Sequence, residues 1–121
     1  MTVHPVQRLF RSVAKSLRPP PILSYSAWAE QHFRLSSNSA APGRFRPWKF
    51  QRGILDAIGD PVLERVTIIK SARTGFTVSL VASVAAIAAN DPAPIILLMP
   101  TDDDARGIAV DEIDPAFRDT P

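Results

Sequence analysis

Two runs of β-branched and aliphatic residues, at 66–69 and 95–99, most constrain how this chain can fold. Their sequences, Val-Thr-Ile-Ile and Ile-Ile-Leu-Leu-Met, are typical of buried strands. Residues 76–89 between them form a strong helix candidate, and the Asn-Asp-Pro sequence at 90–92 ends it. A strand, a loop, a helix and a strand in this order predict a right-handed βαβ unit and a parallel sheet covered on both faces. We therefore expect an α/β fold.

The first segment of the chain predicts a separate amphipathic helix. Between residues 5 and 18, apolar residues recur at helical spacing with basic residues on or beside the other face. Prolines at 19–21 end this helix, because proline cannot continue one. A detached basic helix suits a partner protein, nucleic acid or a membrane surface, and the alternative is a helix that folds back on its own domain. We expect residues 1–21 to be a basic amphipathic helix with a proline-rich tether.

Two short helices are expected before the βαβ unit. The first, within 24–33, can be capped by Ser24 or Ser26. The second, 46–59, has Pro47 in its first turn and ends at a glycine. We expect residues 22–121 to form one unit, with the short helices leading into the parallel sheet.

Composition excludes some kinds of site. The 121 residues contain no cysteine, which excludes disulfides, thiolate catalysis and cysteine-based zinc sites. His4 and His32 do not have the paired spacing of metal ligands. The longest apolar stretch, 78–89, is too short and too rich in alanine to span a bilayer. Net charge is +2, but ten of the 14 basic residues lie at or before Arg65, so the first part of the chain is basic. We expect a soluble, intracellular protein.

The loop between the first predicted strand and its helix, residues 70–77, has the sequence Lys-Ser-Ala-Arg-Thr-Gly-Phe-Thr. It compares with the phosphate-binding loop G-x-x-x-x-G-K-[ST]. Gly75 and Thr77 fall at the second glycine and at the hydroxyl position, whereas Lys70 replaces the first glycine and Phe76 replaces the lysine. The cation has therefore moved to the other end of the loop.

This arrangement can still bind phosphate. Backbone N–H groups at the start of a helix are unsatisfied and have a positive dipole behind them, which favours anions. Gly75 allows close approach to a phosphate, and Thr77 offers a hydroxyl to Mg²⁺. Lys70 can reach back to the β and γ phosphates, and the guanidinium of Arg73 is a second phosphate ligand. The alternative is an ordinary strand-to-helix loop whose cations face solvent.

The loop sequence KSARTGFT resembles the deviant phosphate loop of the lambda-type phage terminase large subunits, the GpA family, in which K-S-A-R-x-G-[YF]-[ST] is typical. Further segments resemble that family in the same order. These are Trp-Ala-Glu at 28–30, the G-R-F and W-K-F-Q-R sequences within 43–52, L-M-P-T-D-D-D-A at 98–105, and the closing segment 113–121. Several short motifs in register are more specific than any one of them.

The resemblance implies a P-loop NTPase fold, ATP and Mg²⁺ as ligands, and specific site residues. Its phosphate loop would comprise Lys70, Ser71, Ala72, Arg73, Thr74, Gly75, Phe76 and Thr77, with Thr77 on the Mg²⁺ of the bound ATP. Gln51 would recognise adenine, with Phe50 beside it, because an amide offers both the donor and the acceptor that an adenine edge requires. The alternative for Gln51 is a surface position on a helix.

The resemblance also implies a role and partners. Such a chain would be the ATP-binding part of the motor that packages viral DNA into procapsids, in the cytoplasm of the bacterial host and away from membranes. Its N-terminal helix would bind the small terminase subunit, and the full-length family works with double-stranded DNA and the portal. One alternative is a non-catalytic remnant or binding module that docks a partner through the N-terminal helix. Another is a fragment of a different P-loop ATPase, such as a helicase.

Some features depart from the family pattern. Val78 stands where the lambda protein has a lysine just after the hydroxyl residue. We expect the chain to lack the acidic residue that ends a Walker B strand, the glutamate that activates water and the nuclease domain, and therefore to lack turnover alone. The three carboxylates at 102–104 are interpreted as charges at a helix start and not as a metal site.

Overall fold

A computed structural model of the chain describes residues 5–19 and 21–121. Within these residues the chain is mainly helical, with one small antiparallel sheet. The elements in order are α1 (Pro5–Ser16), α2 (Tyr25–His32), β1 (Arg34–Leu35), β2 (Gly43–Arg44), α3 (Lys49–Ile58), α4 (Phe76–Asn90), α5 (Asp102–Gly107), a π-helical segment (Ile108–Ile113) and α6 (Asp114–Asp119). The helices expected within 24–33, 46–59 and 76–89 are therefore confirmed.

Helices α2, α3 and α4 pack against one another around the main core. Leu55 of α3 and Ala29 of α2 are completely buried there, as are Ala82 and Ala86 of α4. The buried face of α4 consists mostly of alanine and serine. Because the distance between packed helices depends on the side chains at the contact, small residues let α4 approach its neighbours closely.

Polar side chains tie these helices together. Ser24 caps α2 through its hydroxyl, which is one of the two predicted possibilities. The Asp56 carboxylate of α3 accepts hydrogen bonds from the backbone N–H and the hydroxyl of Ser26, at 3.0 and 2.9 Å. The Asn90 amide at the end of α4 accepts from the N–H of Leu23 at 3.2 Å and donates to its carbonyl at 2.8 Å. The start of α2 and the residues just before it are thereby fixed against α3 and the end of α4.

A two-pronged ion pair joins α2 to α3. The two terminal nitrogens of Arg52 contact the two carboxylate oxygens of Glu30, each at 2.8 Å. The Arg44 Nε atom donates to the backbone carbonyl of Glu30 at 3.0 Å. The hydrogen bond from Arg52, helped by the charges of Arg52, Arg44 and Arg46, holds the pKa of Glu30 below its usual value.

The short sheet closes the loop that follows α2. Strands β1 and β2 are antiparallel, with Arg34 opposite Arg44 and Leu35 opposite Gly43. Next to them, Phe33 and Phe45 are buried and meet edge to face, with ring centroids 5.6 Å apart. This geometry is a preferred one for aromatic pairs, so the pair anchors the hairpin to the core.

The last helix is fixed to this hairpin. The backbone N–H of Arg34 donates to the hydroxyl of Thr120 at 3.1 Å, and that of Ser37 donates to the carboxylate of Asp119 at 3.0 Å. Ala116 of α6 is buried in the core. The hairpin and the last helix therefore share one packed unit.

The carboxylates at 102–104 occupy the first turn of α5, as the sequence indicates. Thr101 precedes them as the N-cap, and its hydroxyl accepts from the backbone N–H of Asp104 at 3.1 Å. Negative charge at this end of a helix is stabilised by the helix dipole.

The predicted parallel sheet is not formed within the described residues. Segments 66–69 and 95–99 form neither strand nor helix, and the β1–β2 pair is the sheet present there. Ile69 is 98% exposed and Leu98 is 86% exposed. Composition indicates that a segment favours a strand, but the backbone bonds of a strand come from a neighbour distant in sequence. The expected βαβ unit is therefore not shown by the described residues.

Helix α1 is confirmed, and it lies apart from the core. Every described side chain from 6 to 19 is exposed, including the apolar Leu9 and Phe10. Of the predicted segment 1–21, residues 1–4 and Pro20 lie outside the described residues.

Among the helices that the structure describes, none has both the length and the apolar character needed to cross a membrane.

We expect the core to depend on Leu55. Replacing Leu55 by alanine should lower the free energy of unfolding by about 2–5 kcal/mol, because a completely buried leucine leaves a cavity. The same change at Leu9, which is exposed on α1, should alter it by less than about 0.5 kcal/mol. Urea unfolding followed by circular dichroism checks both variants, and equal losses would contradict the assigned core.

The ion pair of Glu30 should make stability depend on acid pH. Since the pKa of Glu30 is lowered in the folded chain, its contribution is complete above the pKa of an unfolded glutamate, about 4.3, and is lost as pH falls through the lowered value. In Glu30→Gln this part of the acid-side decline of the unfolding free energy should disappear. Glu64→Gln, at an exposed position, controls for the loss of one carboxylate. Identical pH profiles for both variants and the parent chain would refute the assignment.

Candidate nucleotide-binding site

Residues 70–75 bend sharply before α4 begins at Phe76. Arg73 has a backbone φ of 58° and Gly75 one of 71°, so two residues of the bend are left-handed. This region is uncommon for residues other than glycine. The hydroxyl of Thr74 donates to the carbonyl of Ser71 at 3.4 Å, across the bend. The segment is therefore neither a continuous helix nor a strand.

The bend leaves backbone donors at the start of α4. Ser79 is the first residue of α4 whose N–H reaches a carbonyl, that of Gly75 at 3.3 Å. In the part of the chain that the structure describes, the N–H groups of residues 76–78 have no protein acceptor. Together with the positive end of a 15-residue helix, such groups favour a bound anion.

Gln51 of α3 holds the bend in place. Its Nε2 atom donates to the Gly75 carbonyl at 3.2 Å, and its Oε1 atom accepts from the backbone N–H of Trp48 at 2.9 Å. Gln51 is 5% exposed, so it is not the surface residue of the alternative interpretation. A Cβ atom on Gly75 would lie 2.9 Å from Nε2 of Gln51. Both this close approach and the positive φ require glycine at position 75.

One hollow, of about 400 Å³, lies on the Lys70 side of the bend. The Nζ atom of Lys70 lies 5.6 Å from the centre of the Phe76 ring and 3.5 Å from the Ser71 carbonyl. The lining also includes apolar residues from α3 and from the segment before the loop. The full lining is Phe50, Ile54, Ile68, Ile69, Lys70, Ser71, Thr74, Phe76 and Ser79.

A second hollow, of about 350 Å³, has Arg73 in its wall. Trp48 and Phe50 meet there at an angle of 65°, with ring centroids 6.1 Å apart, and both rings are substantially exposed. The full lining is Trp48, Phe50, Gln51, Arg73, Thr74 and Gly75. Phe50 and Thr74 border both hollows, so these are adjacent.

Most of the predicted site residues are brought together. All ten line one hollow or the other except Ala72 and Thr77, which are both exposed. Thr77 lies instead on the outer side of the first turn of α4. Trp48 also lines the second hollow, and its signal in the sequence is an aromatic residue two positions before Phe50. Within the described residues, no carboxylate lines either hollow and no group of three histidine or carboxylate side chains forms a metal site.

Comparison with known proteins identifies the family. Residues 39–121 match the family described as phage terminase large subunit gpA, ATPase domain. This match covers the candidate loop, Gln51 and both hollows. The resemblance seen in the short motifs is thereby confirmed.

Two curated relatives agree with this match. The chain is 34% identical over 107 residues to the terminase large subunit of Enterobacteria phage P21, across 88% of this chain and 17% of that protein. It is 29% identical over 120 residues to the terminase large subunit of Escherichia phage lambda, across 98% of this chain and 19% of that protein. The chain thus spans less than a fifth of the length of either relative. No solved structure matches it. The chain belongs to the family of the ATPase domain of the phage terminase large subunit gpA.

Proposed function

We propose that this chain is the N-terminal, ATP-binding part of a motor that moves phage DNA into procapsids. The observation that carries this proposal is the bend at 70–75, which contains two cations, Lys70 and Arg73, and is followed by free backbone N–H groups at the start of α4. Family membership supports an ATPase role for the domain. DNA translocation and contact with the portal are proposed for the whole protein and not for this chain alone. The two relatives are each more than five times longer than this chain.

The phosphates would bind at the start of α4. The N–H groups of residues 76–78 are available as donors, and the helix dipole adds a favourable field. Lys70 and Arg73 line two adjacent hollows at the bend, so each can supply a cation to a bound triphosphate chain. Arginine suits two-pronged phosphate contact, whereas lysine acts as a compact point charge.

The adenine base would bind in the hollow lined by Trp48, Phe50 and Gln51. Gln51 uses one amide hydrogen and one lone pair within the protein, which leaves one donor and one acceptor for an adenine edge. Trp48 and Phe50 offer exposed aromatic faces. Stacking of a base on an aromatic side chain contributes about 1–3 kcal/mol. We therefore add Trp48 to the adenine-binding residues.

Mg²⁺ would enter with the nucleotide, with Thr77 as the protein ligand. The Thr77 hydroxyl is exposed on the first turn of α4, beside the free N–H groups. A single protein oxygen fits this ion, because Mg²⁺ keeps several waters and binds through the phosphates. When bound, the ion would neutralise phosphate charge.

We further propose that segments 66–69 and 95–99 become strands of a parallel sheet in the complete ATPase domain. Their aliphatic residues are exposed here, and a sheet with helices on both faces would bury them. Since the hollows contain no carboxylate, the groups that activate water would come from other parts of the protein. This chain would therefore bind ATP without turnover.

Helix α1 supports a second role, as a docking element for the small terminase subunit. Its apolar residues are all exposed, and four basic residues lie within or just after it. A helix that presents both an apolar stripe and positive charge suits the groove of an acidic partner protein. In this role residues 1–21 would act independently of the unit formed by 22–121.

Binding of Mg-ATP should depend on Lys70. Replacing Lys70 by alanine should weaken binding about 10–100-fold, because a hydrogen bond to a charged group contributes about 1.5–3 kcal/mol. Lys15→Ala, on exposed helix α1, is the matched control and should bind as the parent chain does. Isothermal titration calorimetry measures all three. Equal affinities for the parent chain and the Lys70 variant would remove the case for this loop.

Binding should also require glycine at position 75. In Gly75→Ala the new Cβ would meet Gln51 at 2.9 Å and the backbone would be strained, so Mg-ATP affinity should fall at least about tenfold. Gly53→Ala is the control, because a Cβ there meets nothing within 4 Å and alanine is favoured in a helix by about 0.5–1 kcal/mol. Calorimetry and thermal unfolding of both variants test this, and unchanged affinity in Gly75→Ala would contradict it.

A further inference from the structure

We infer that Phe76 is a positioning residue for Lys70: its ring holds the displaced lysine beside the start of α4, where the phosphates are proposed to bind. This inference rests on the proposed nucleotide site. Phe76 occupies the position at which an ordinary phosphate loop has its lysine, and the lysine of this chain lies six residues earlier. The displaced lysine and the residue that stands in the usual lysine position are in contact in space.

The contact has the geometry of a cation–π interaction. The Lys70 Nζ atom lies 5.6 Å from the Phe76 ring centroid, within the range of about 6 Å over which a ring attracts an ammonium group. The other contact of Nζ is a long hydrogen bond of 3.5 Å to the Ser71 carbonyl. Among the described residues, Lys70 has no carboxylate partner, since the ion pair found there joins Arg52 and Glu30.

The ring can hold the lysine because its own position is better determined. Phe76 is the first residue of α4, is partly buried, and follows Gly75, whose carbonyl is bound by Gln51 and Ser79. Lys70, in contrast, is exposed and follows a segment without regular structure. A lysine stem has many rotamers, so a contact that restricts it reduces the entropy lost when phosphate binds.

An alternative is that Phe76 only fills the apolar wall of the hollow, beside Ile54 and Ile68. The two interpretations differ in which property a residue that replaces Phe76 must have. Leucine preserves an apolar side chain but removes the ring, whereas tyrosine preserves the ring. If Phe76 acted only in packing, the effect of replacing it would also be the same whether or not Lys70 is present.

A double-mutant cycle on the full chain tests the inference through the dissociation constant for Mg-ATP. Phe76→Leu should weaken binding about two- to fivefold, as expected for one cation–π contact at an exposed site, and Phe76→Tyr should stay within about twofold of the parent chain. In a Lys70→Ala background, Phe76→Leu should have no further effect. The same loss in both backgrounds, or no rescue by tyrosine, would overturn the inference.

Nuclear magnetic resonance tests the contact without nucleotide. In the parent chain the ε-methylene protons of Lys70 should be shifted upfield of those of Lys15 and Lys49 by the Phe76 ring current, and should show cross-relaxation with the ring protons. This measurement on the parent chain decides the matter even if Phe76→Leu fails to fold. An unshifted Lys70 signal refutes the inference. A shifted signal without measurable ATP binding refutes the proposed function but leaves the contact intact.

Discussion

The amide of Gln51 connects the start of α3 to the start of α4, and both hollows depend on this connection. Its oxygen accepts from Trp48 N–H and its nitrogen donates to the Gly75 carbonyl, so one planar group orients both backbones. Gln51 is buried, and an unpaired amide would cost about 1–3 kcal/mol there. The backbone at the start of α3 and the Gly75 end of the bend therefore have a fixed spacing, although they come from separate segments.

The helical core makes this spacing possible. Helix α4 packs through alanine and serine against α2 and α3, which brings its first turn close to the first turn of α3. The bend between them includes a left-handed Arg73, a conformation that persists only where the surroundings enforce it. The Gly75 carbonyl, bound by Gln51 and by both donors of Ser79, supplies that restraint on one side of the bend.

Local features of the site could be predicted from the sequence, because caps, helical spacing and glycine positions act over a few residues. The bend at 70–77, the start of α4 after Gly75 and the proximity of Gln51 to the loop all follow from such signals or from the motif resemblance. The parallel sheet could not be predicted in the same way. The composition of 66–69 and 95–99 favours strands, but pairing depends on neighbours distant in sequence, and these segments are unpaired here. Trp48 was missed because an exposed aromatic residue has no local signature of binding.

The two ends of the phosphate loop are consequently held to different degrees. The Gly75 end is attached to the core through three hydrogen bonds and the packing of α4. The Lys70 end follows an unpaired segment and is held by the Phe76 ring and a long bond to Ser71. In a loop whose lysine lies on the helix, the cation shares the rigidity of the helix. A lysine placed before the bend lacks that support, and an aromatic residue at the first position of α4 restores a link between the cation and the helix.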